Sequence, residues 1–403
     1  MPRLVDRLWE GNPGAPGGRR ARASFLYQAY VPDPIAKLDP AVTFDVAAAV
    51  AEAERAIRGM NERASAGGLE SIGPLLLRSE AVASSRIEGY QVSTLNLAKA
   101  LVDPRAARGS ARAVAANVRA MEAAVARADD PAPVTVADLL AFHATLMADD
   151  ERAQPGRVRA VQNWLGGRLD SPLDAEFVPP PPEEIADLLG DLVAFLTRED
   201  LPPVAQAAIA HAQFETIHPF IDGNGRVGRC LIHVVLRRGD IAPRFVPPVS
   251  IVMAARPTSY VGGLVDFREG RIARWVGSFS AACALAAARA SDLADDVASL
   301  QQEWTRRAGG PRAGSAAARL IALLPAQPIV SAPTVRSAIG TSQQRALAGL
   351  KALADAGVVR QISEGTYDRQ FAATELFDLV TTYEARIGGT DSSGVRPPGA
   401  EGG

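Results

Sequence analysis

Residues 214–229 read FETIHPFIDGNGRVGR and are followed by a mostly apolar run from Cys230 to Leu236. Ahead of them, Val204, Ala208, Ile209, Phe214 and Ile217 recur at the spacing of one helical face. Behind them, Val227, Leu231, Val234 and Val235 keep helical spacing until Gly239 closes the run. The spacing predicts helix, tight loop, helix. Pro219 disfavours helical dihedrals in the residue before it, so the first helix is expected to stop near His218 and leave its imidazole at the mouth of the loop.

The loop has the chemistry of a phosphate site. Gly223 and Gly225 let the backbone approach a ligand closely, and their amides join the free N–H groups that open the second helix in an anion nest. Arg226 and Arg229 stand three apart at the positive end of that helix, where their mutual repulsion costs about 0.2–0.5 kcal/mol unless an anion sits between them. Asp222 adds one hard oxygen, too few for a calcium cage but suited to a magnesium ion that takes its other ligands from water and phosphates. An EF-hand starting at Asp222 fails, because Arg226, Val227 and His233 stand where an acidic or amide residue, a glycine and a glutamate are needed. Zinc fits no better: His143, His211, His218 and His233 are scattered, and Cys230 with His233 supplies half a tetrahedral site.

The stretch HPFIDGNGRVGR resembles the signature of Fic-domain proteins at each of its defining positions. The resemblance implies a general base at His218 and magnesium at Asp222. It also implies a nucleotide-binding stretch running through Gly223, Asn224, Gly225, Arg226, Val227, Gly228 and Arg229, whose backbone to Arg226 takes the α- and β-phosphates and whose Arg229 takes the γ-phosphate. Tyr260, in SYVGGL, lies near where the resemblance implies an aromatic lining the nucleotide base, and core packing is the other, stronger reading of such a tyrosine. The implied reaction moves AMP from ATP onto a Ser, Thr or Tyr hydroxyl of a target protein or of the chain itself, with release of pyrophosphate. The residues alone supply base, metal ligand and triphosphate cradle; which phosphorus is attacked comes from the resemblance. The reverse hydrolysis of AMP from a modified protein, phosphoryl or other nucleotidyl transfer, and a nucleotide-sensing regulator that binds DNA remain alternatives.

Upstream, Gly73–Gly89 has helical spacing and ends on a glycine suited to a C-terminal cap, which places Glu88 at the negative end of a helix at a cost of about 0.3–1 kcal/mol unless a cation compensates. Ser84-Ser85-Arg86-Ile87-Glu88-Gly89 resembles the Fic inhibitory motif, in which a serine or threonine precedes, by four positions, a glutamate that pairs with the last signature arginine. The resemblance implies that the pair here is Glu88 with Arg229, within an intramolecular, N-terminal inhibitory helix that includes Ser84.

The remaining chain fits this frame. Its 403 residues suffice for two or three domains, and 47% hydrophobic content is that of a soluble globular protein. A net charge of -2 gives no global attraction to nucleic acid or membrane, and two cysteines, Cys230 and Cys283, suit a reducing cytosol. With no long uncharged apolar run, a cytoplasmic protein without membrane contact is expected. The expected fold class is mainly α: an all-helical Fic core with a small β-hairpin flap, plus a C-terminal winged helix-turn-helix. The expected division is a flexible tail (1–23), an N-terminal helical domain with the inhibitory helix (24–108), the catalytic core (109–308), a linker (309–315), the winged helix-turn-helix (316–386) and a disordered tail (387–403).

His143 sits beside Leu139, Leu140 and Leu146 and reads as a core or interfacial histidine. Residues 157–178, bounded by Gly156 and a four-proline exit, read as a hairpin; the resemblance makes it a flap whose edge pairs with the target segment. The family also makes homo-oligomerisation plausible. In the C-terminal module, Gln343, Gln344, Arg345 and Lys351 resemble a recognition helix, with Arg360 and Arg369 near the wing. Asp355, Glu364 and Asp368 dilute that charge, which favours protein contacts over DNA.

Overall fold

The computed structural model describes residues 2–14, 16, 18–66, 72–105, 107–363 and 369–388. The elements run β1 (Arg3–Trp9), α1 (Arg19–Arg22), β2 (Phe25–Val31), α2 (Phe44–Ala66), α3 (Ile72–Ile87), α4 (Thr94–Val102), α5 (Gly109–Ala128), α6 (Val136–Leu146), α7 (Ile185–Leu196), α8 (Pro203–Ile217) and α9 (Asn224–Arg238). They continue with α10 (Val249–Ala255), α11 (Pro257–Arg268), α12 (Ile272–Arg307), α13 (Ala316–Leu323), β3 (Ile329–Ser331), α14 (Ala332–Ile339), α15 (Gln343–Asp355), β4 (Arg360–Gln361), β5 (Gln370–Ala372) and α16 (Thr374–Gly388). The chain is thus mainly helical, as its periodicity predicts. It forms two compact units that interleave along the sequence, one of residues 1–55, 116–246 and 258–284, the other of 56–115, 247–257 and 285–403. The helices α2, α5 and α12 each contribute residues to both.

In the first unit, α8 and α9 form the central pair. The sequence suggests one apolar face for α8, but Val204 to Phe214 is buried all the way round, Gln206, His211 and Gln213 included. Alanines at 205, 207, 208, 210 and 212 let neighbours approach on every side. Gly228 serves the same end on α9: a methyl group there would lie 2.8 Å from Glu215 Oε1 and 3.1 Å from the Phe214 ring.

The expected loose tail at 1–23 is corrected by β1, which pairs antiparallel with β2 over its whole length, Arg3 opposite Val31 and Trp9 opposite Phe25. The alternation in RLVDRLW is short, and the Gly- and Pro-rich connection after it dominates the composition of the region. The hairpin packs on the segment expected to be the flap. Trp9 meets Trp164 edge-on at 5.5 Å, Tyr30 meets Phe177 at 5.8 Å, and Tyr30 N–H donates to the Val178 carbonyl at 2.9 Å. Arg3 pairs with Glu184 at 2.5 Å, Arg7 with Glu183, and Arg20 with Asp174.

In the second unit, α3 packs on α10. Glu80, fully buried at mid-α3, accepts from Ser250 N–H at 2.7 Å and Ser250 Oγ–H at 2.6 Å, so a carboxylate caps the start of α10. At the end of α3, Gly89 has φ of +85°, its N–H reaches the Arg86 carbonyl at 3.0 Å, and Tyr90 N–H reaches the Ser85 carbonyl at 3.0 Å. These two bonds make a Schellman cap with Glu88 at its cap position. The C-terminal elements give four helices, α13 to α16, and an antiparallel sheet of order β3-β5-β4. Ser315, Ser331 and Ser342 cap α13, α14 and α15. The expected wing turn and the start of its second strand, residues 364–368, lie outside the described residues, as do 389–403 of the expected tail. Residues 387–388 instead finish α16, whose Leu376, Phe377, Val380 and Tyr383 are buried at helical spacing. Among the described residues no helix is long and apolar enough to cross a membrane.

Candidate active site

The signature begins where α8 ends. His218 is the C-cap, with φ of 50° and ψ of 59°, and its N–H still closes on the Phe214 carbonyl at 2.9 Å. A left-handed conformation for a residue with a Cβ costs of order 1 kcal/mol, and it turns the chain out of the helix one residue before Pro219. His218 Nδ1 lies 3.3 Å from the Glu215 carbonyl and 4.0 Å from Glu215 Oε2. A carbonyl oxygen only accepts, so the ring proton sits on Nδ1 and the lone pair on Nε2.

The loop is clasped by its own asparagine. Asn224 Oδ1 accepts from Phe220 N–H at 2.8 Å, and its Nδ2 donates to the Phe220 carbonyl at 2.9 Å. Asn224 is 2% exposed, so its side chain shapes the loop while its backbone opens α9. Gly223 takes φ of +82°, and a methyl group there would press on Leu146 at 3.1 Å and Met147 Sδ at 3.2 Å. The first α9 bond runs from Val227 N–H to the Gly223 carbonyl, which directs the N–H groups of Asn224, Gly225 and Arg226 to the helix N-terminus. Val227, Gly228 and Arg229 continue α9 and are buried.

The charged side chains divide between surface and interior. The Asp222 side chain is 50% exposed, with Oδ1 accepting from Gly223 N–H at 2.5 Å and standing 3.5 Å from Arg226 Nη2. Arg226 and Arg229 are each 1% exposed. Arg226 Nη2 lies 3.6 Å from Met147 Sδ, and Arg229 Nη1 lies 3.5 Å from the Tyr260 hydroxyl. That hydroxyl also meets His211 Nε2 at 2.9 Å, and Tyr260 is buried beside Trp275. Tyr260 therefore touches the signature through Arg229.

Three residues that the local pattern does not single out hold this loop. His143, on α6, accepts from Gly156 N–H at Nδ1 (3.0 Å), donates from Nε2 to the Asp222 carbonyl (3.0 Å) and stacks on Phe220 at 3.8 Å. Its core placement is as expected, and burial lowers its pKa to about 4, so it is neutral at pH 7. Arg159 donates from Nε to the His218 carbonyl at 2.9 Å, and its N–H donates to the Pro219 carbonyl at 2.9 Å. Asn163 Nδ2 reaches the carbonyls of Phe220 at 3.1 Å and His218 at 3.4 Å. Arg159 and Asn163 lie on the flap segment, which turns back on itself through one antiparallel bridge, Leu165 opposite Phe177.

Among the described residues no group of three or more His, Cys, Asp or Glu could hold a metal by itself. A half-exposed Asp222 at the mouth of a helix N-terminus fits an ion that takes its other ligands from phosphate and water. Ser84 and Glu88 belong to the other unit: Ser84 is fully buried within α3, and Glu88 is exposed at its cap.

Residues 133–236 match the Fic/DOC family, and residues 48–126 match the Fic/DOC family N-terminal region. The protein adenylyltransferase fic-1 of Caenorhabditis elegans is 28% identical over 158 residues, 36% of this chain and 29% of that protein. The protein adenylyltransferase Fic of Drosophila erecta is 34% identical over 117 residues, 28% of this chain and 22% of that protein. The chain thus matches less than a third of the length of these curated relatives. Among solved structures, a Fic family protein from Desulfovibrio desulfuricans G20 aligns with a TM-score of 0.51 at 23% identity, over 83% of this chain and 97% of its own. A Fic domain containing signaling protein from Bacteroides thetaiotaomicron aligns with a TM-score of 0.50 at 20% identity, over 60% of this chain and 97% of its own. Both support the fold.

Proposed function

We propose that this chain, whose residues 133–236 match the Fic/DOC family, is a Fic-type protein adenylyltransferase that moves AMP from ATP to a Ser, Thr or Tyr hydroxyl of a target protein or of itself. What supports the reading is the stretch from the end of α8 through the start of α9, which carries an imidazole with its lone pair on Nε2, a half-exposed carboxylate, helix N-terminal amides and two buried guanidiniums. In the proposed reaction the target hydroxyl oxygen attacks the α-phosphorus. The bond from that phosphorus to the oxygen bridging to the β-phosphate breaks, pyrophosphate leaves, and the hydroxyl proton passes to His218 Nε2. A positioned base of this kind is worth about 10²–10⁴-fold. The amides from Gly223 to Arg226 hold the α- and β-phosphates, and Arg229 holds the γ-phosphate. Magnesium held at Asp222 would supply Lewis-acid neutralisation of the phosphate charge.

The target segment is placed by main-chain pairing along the flap, residues 157–178, where Val161, Leu165 and Leu169 are exposed. Glu88 is proposed to restrain the enzyme by acting on Arg229, a role supported by the resemblance of Ser84 to Gly89 to the family's inhibitory motif. The C-terminal elements are read as a winged helix that serves protein contacts, since Lys351 is engaged with Asp355 at 2.6 Å on the helix that would face DNA. The protein would act in the cytoplasm, and self-association is compatible with this reading.

The test uses ATP labelled at the α- or the γ-phosphate, with magnesium. Label from the α-position should enter protein and label from the γ-position should not; the opposite pattern makes the enzyme a phosphotransferase. His218→Ala should bind ATP as the parent does yet transfer nothing, and retained transfer removes His218 from the role of base.

A further inference from the structure

Arg159 is an unusual place for a cation. It is 1% exposed, and its guanidinium donates at all three nitrogens to backbone carbonyls: Nε to His218 at 2.9 Å, Nη1 to Val161 at 2.9 Å and Nη2 to Pro180 at 2.5 Å. Burial lowers its pKa to about 10. Enclosing a charge this way costs several kcal/mol in desolvation unless its donors are satisfied, and a hydrophobic side chain could fill the volume without that cost. What it does that an apolar residue cannot is join three backbone segments at one planar fork. Two of them, Val161 and Pro180, are the limbs at which the flap leaves and rejoins the core. The third is the carbonyl of the residue proposed as base, held in a left-handed conformation that needs support from its surroundings. Asn163, also on the flap, adds a second donor to that carbonyl at 3.4 Å.

We infer that Arg159, seconded by Asn163, is a positioning residue that fixes the backbone of His218 and sets the flap in register with it, so that a hydroxyl aligned along the flap meets Nε2. The inference rests on the adenylyltransferase reading. It places the control of the attacking angle in the flap stem and not in the phosphate cradle: the carbonyl contacts of Arg159 lie at His218, Val161 and Pro180, while the cradle begins at Gly223. Displacement of the base by an ångström is enough to cost about 100-fold in rate.

The experiment compares Arg159→Ala and Arg159→Lys with the parent, all in the Glu88→Gly background of the full chain. Three readings are taken: ATP binding, self-modification rate against ATP concentration, and the NMR signal of the His218 imidazole. The expected result for Arg159→Ala is unchanged ATP binding and KM, kcat lower by roughly 10- to 100-fold, and a shifted His218 signal with those of His211 and His233 in place. Guanidinium ion, below concentrations that unfold the chain, should restore part of kcat. Arg159→Lys keeps the charge without the fork and should fall between. Undiminished kcat with an unmoved His218 signal overturns the inference, as does a loss of ATP binding in step with kcat. If Arg159→Ala does not fold, Asn163→Ala is read by the same criteria, with a smaller drop expected. If the parent transfers nothing while the His218 signal moves as stated, the adenylyltransferase reading falls and the positioning role stands.

Discussion

His143 shows how a single side chain can set the geometry of a loop 79 residues away, through its 3.0 Å bond to the Asp222 carbonyl. With Nδ1 accepting from Gly156 and Nε2 donating to Asp222, the ring must be neutral, since an imidazolium has no acceptor for the Gly156 N–H. Its folded pKa of about 4 lies below the ordinary histidine value of 6.5, so the unfolded chain binds the extra proton between those values. The stability it confers is complete above pH 6.5 and is lost as the pH falls toward about 4. Thermal unfolding should therefore weaken more steeply from pH 7 to pH 5 in the wild type than in His143→Gln, and equal slopes would contradict this assignment. His218 and Asp222 were legible because the twelve-residue signature concentrates glycines, charges and a base in one stretch. His143, Arg159 and Asn163 were not, because each acts on a carbonyl 55 or more residues away and nothing in its own neighbourhood records that partner. Tyr260 was read as core packing or as an aromatic at a nucleotide base; it is buried, and nothing local indicated that its hydroxyl meets Arg229.

Among the elements, α8, the loop and α9 follow closely from Pro219 and Gly223, which respectively forbid and permit one backbone conformation, whereas Gly239 ends α9 at an ordinary φ of -74° and is needed because a methyl group there would lie 2.4 Å from Pro203. Helix length is less legible. The α12 helix spans 36 residues, about 54 Å at 1.5 Å per residue, because no proline or glycine stops it between Ala288 and Arg307. The β1–β2 hairpin was missed because a two-stranded ribbon gains its stability from what it packs on, which the strand sequence does not carry. Here that support is the flap, through Trp9 on Trp164 at 5.5 Å. Removing that aromatic contact with Trp9→Ala loses about 0.5–1.5 kcal/mol beyond the buried area. The expected outcome is faster amide hydrogen exchange across residues 157–178, with the exchange of α9 unchanged; equal exchange in the flap would show that the hairpin does not support it.

At the scale of the molecule, the unit holding the signature differs from the unit holding Ser84 to Gly89. The second unit fixes α3 at two points. Buried Glu80 joins its middle to α10, and Arg86, two residues before Glu88, pairs with Glu384 of α16 at 2.5 Å. The interleaving of the units was not legible, since a division by linkers and composition assumes that domains follow one another along the chain, and helices as long as α12 do not respect that. The central question is whether the Glu88 carboxylate, at the cap of α3, governs a transfer proposed for His218. Intact-mass analysis of wild type, Glu88→Gly and His218→Ala, after incubation of the full chain with ATP and magnesium, answers it directly. The account predicts slow gain of one AMP group in the wild type, faster gain in Glu88→Gly and none in His218→Ala. An unmodified Glu88→Gly protein that still binds ATP, or a His218→Ala protein modified as fast as wild type, would contradict it.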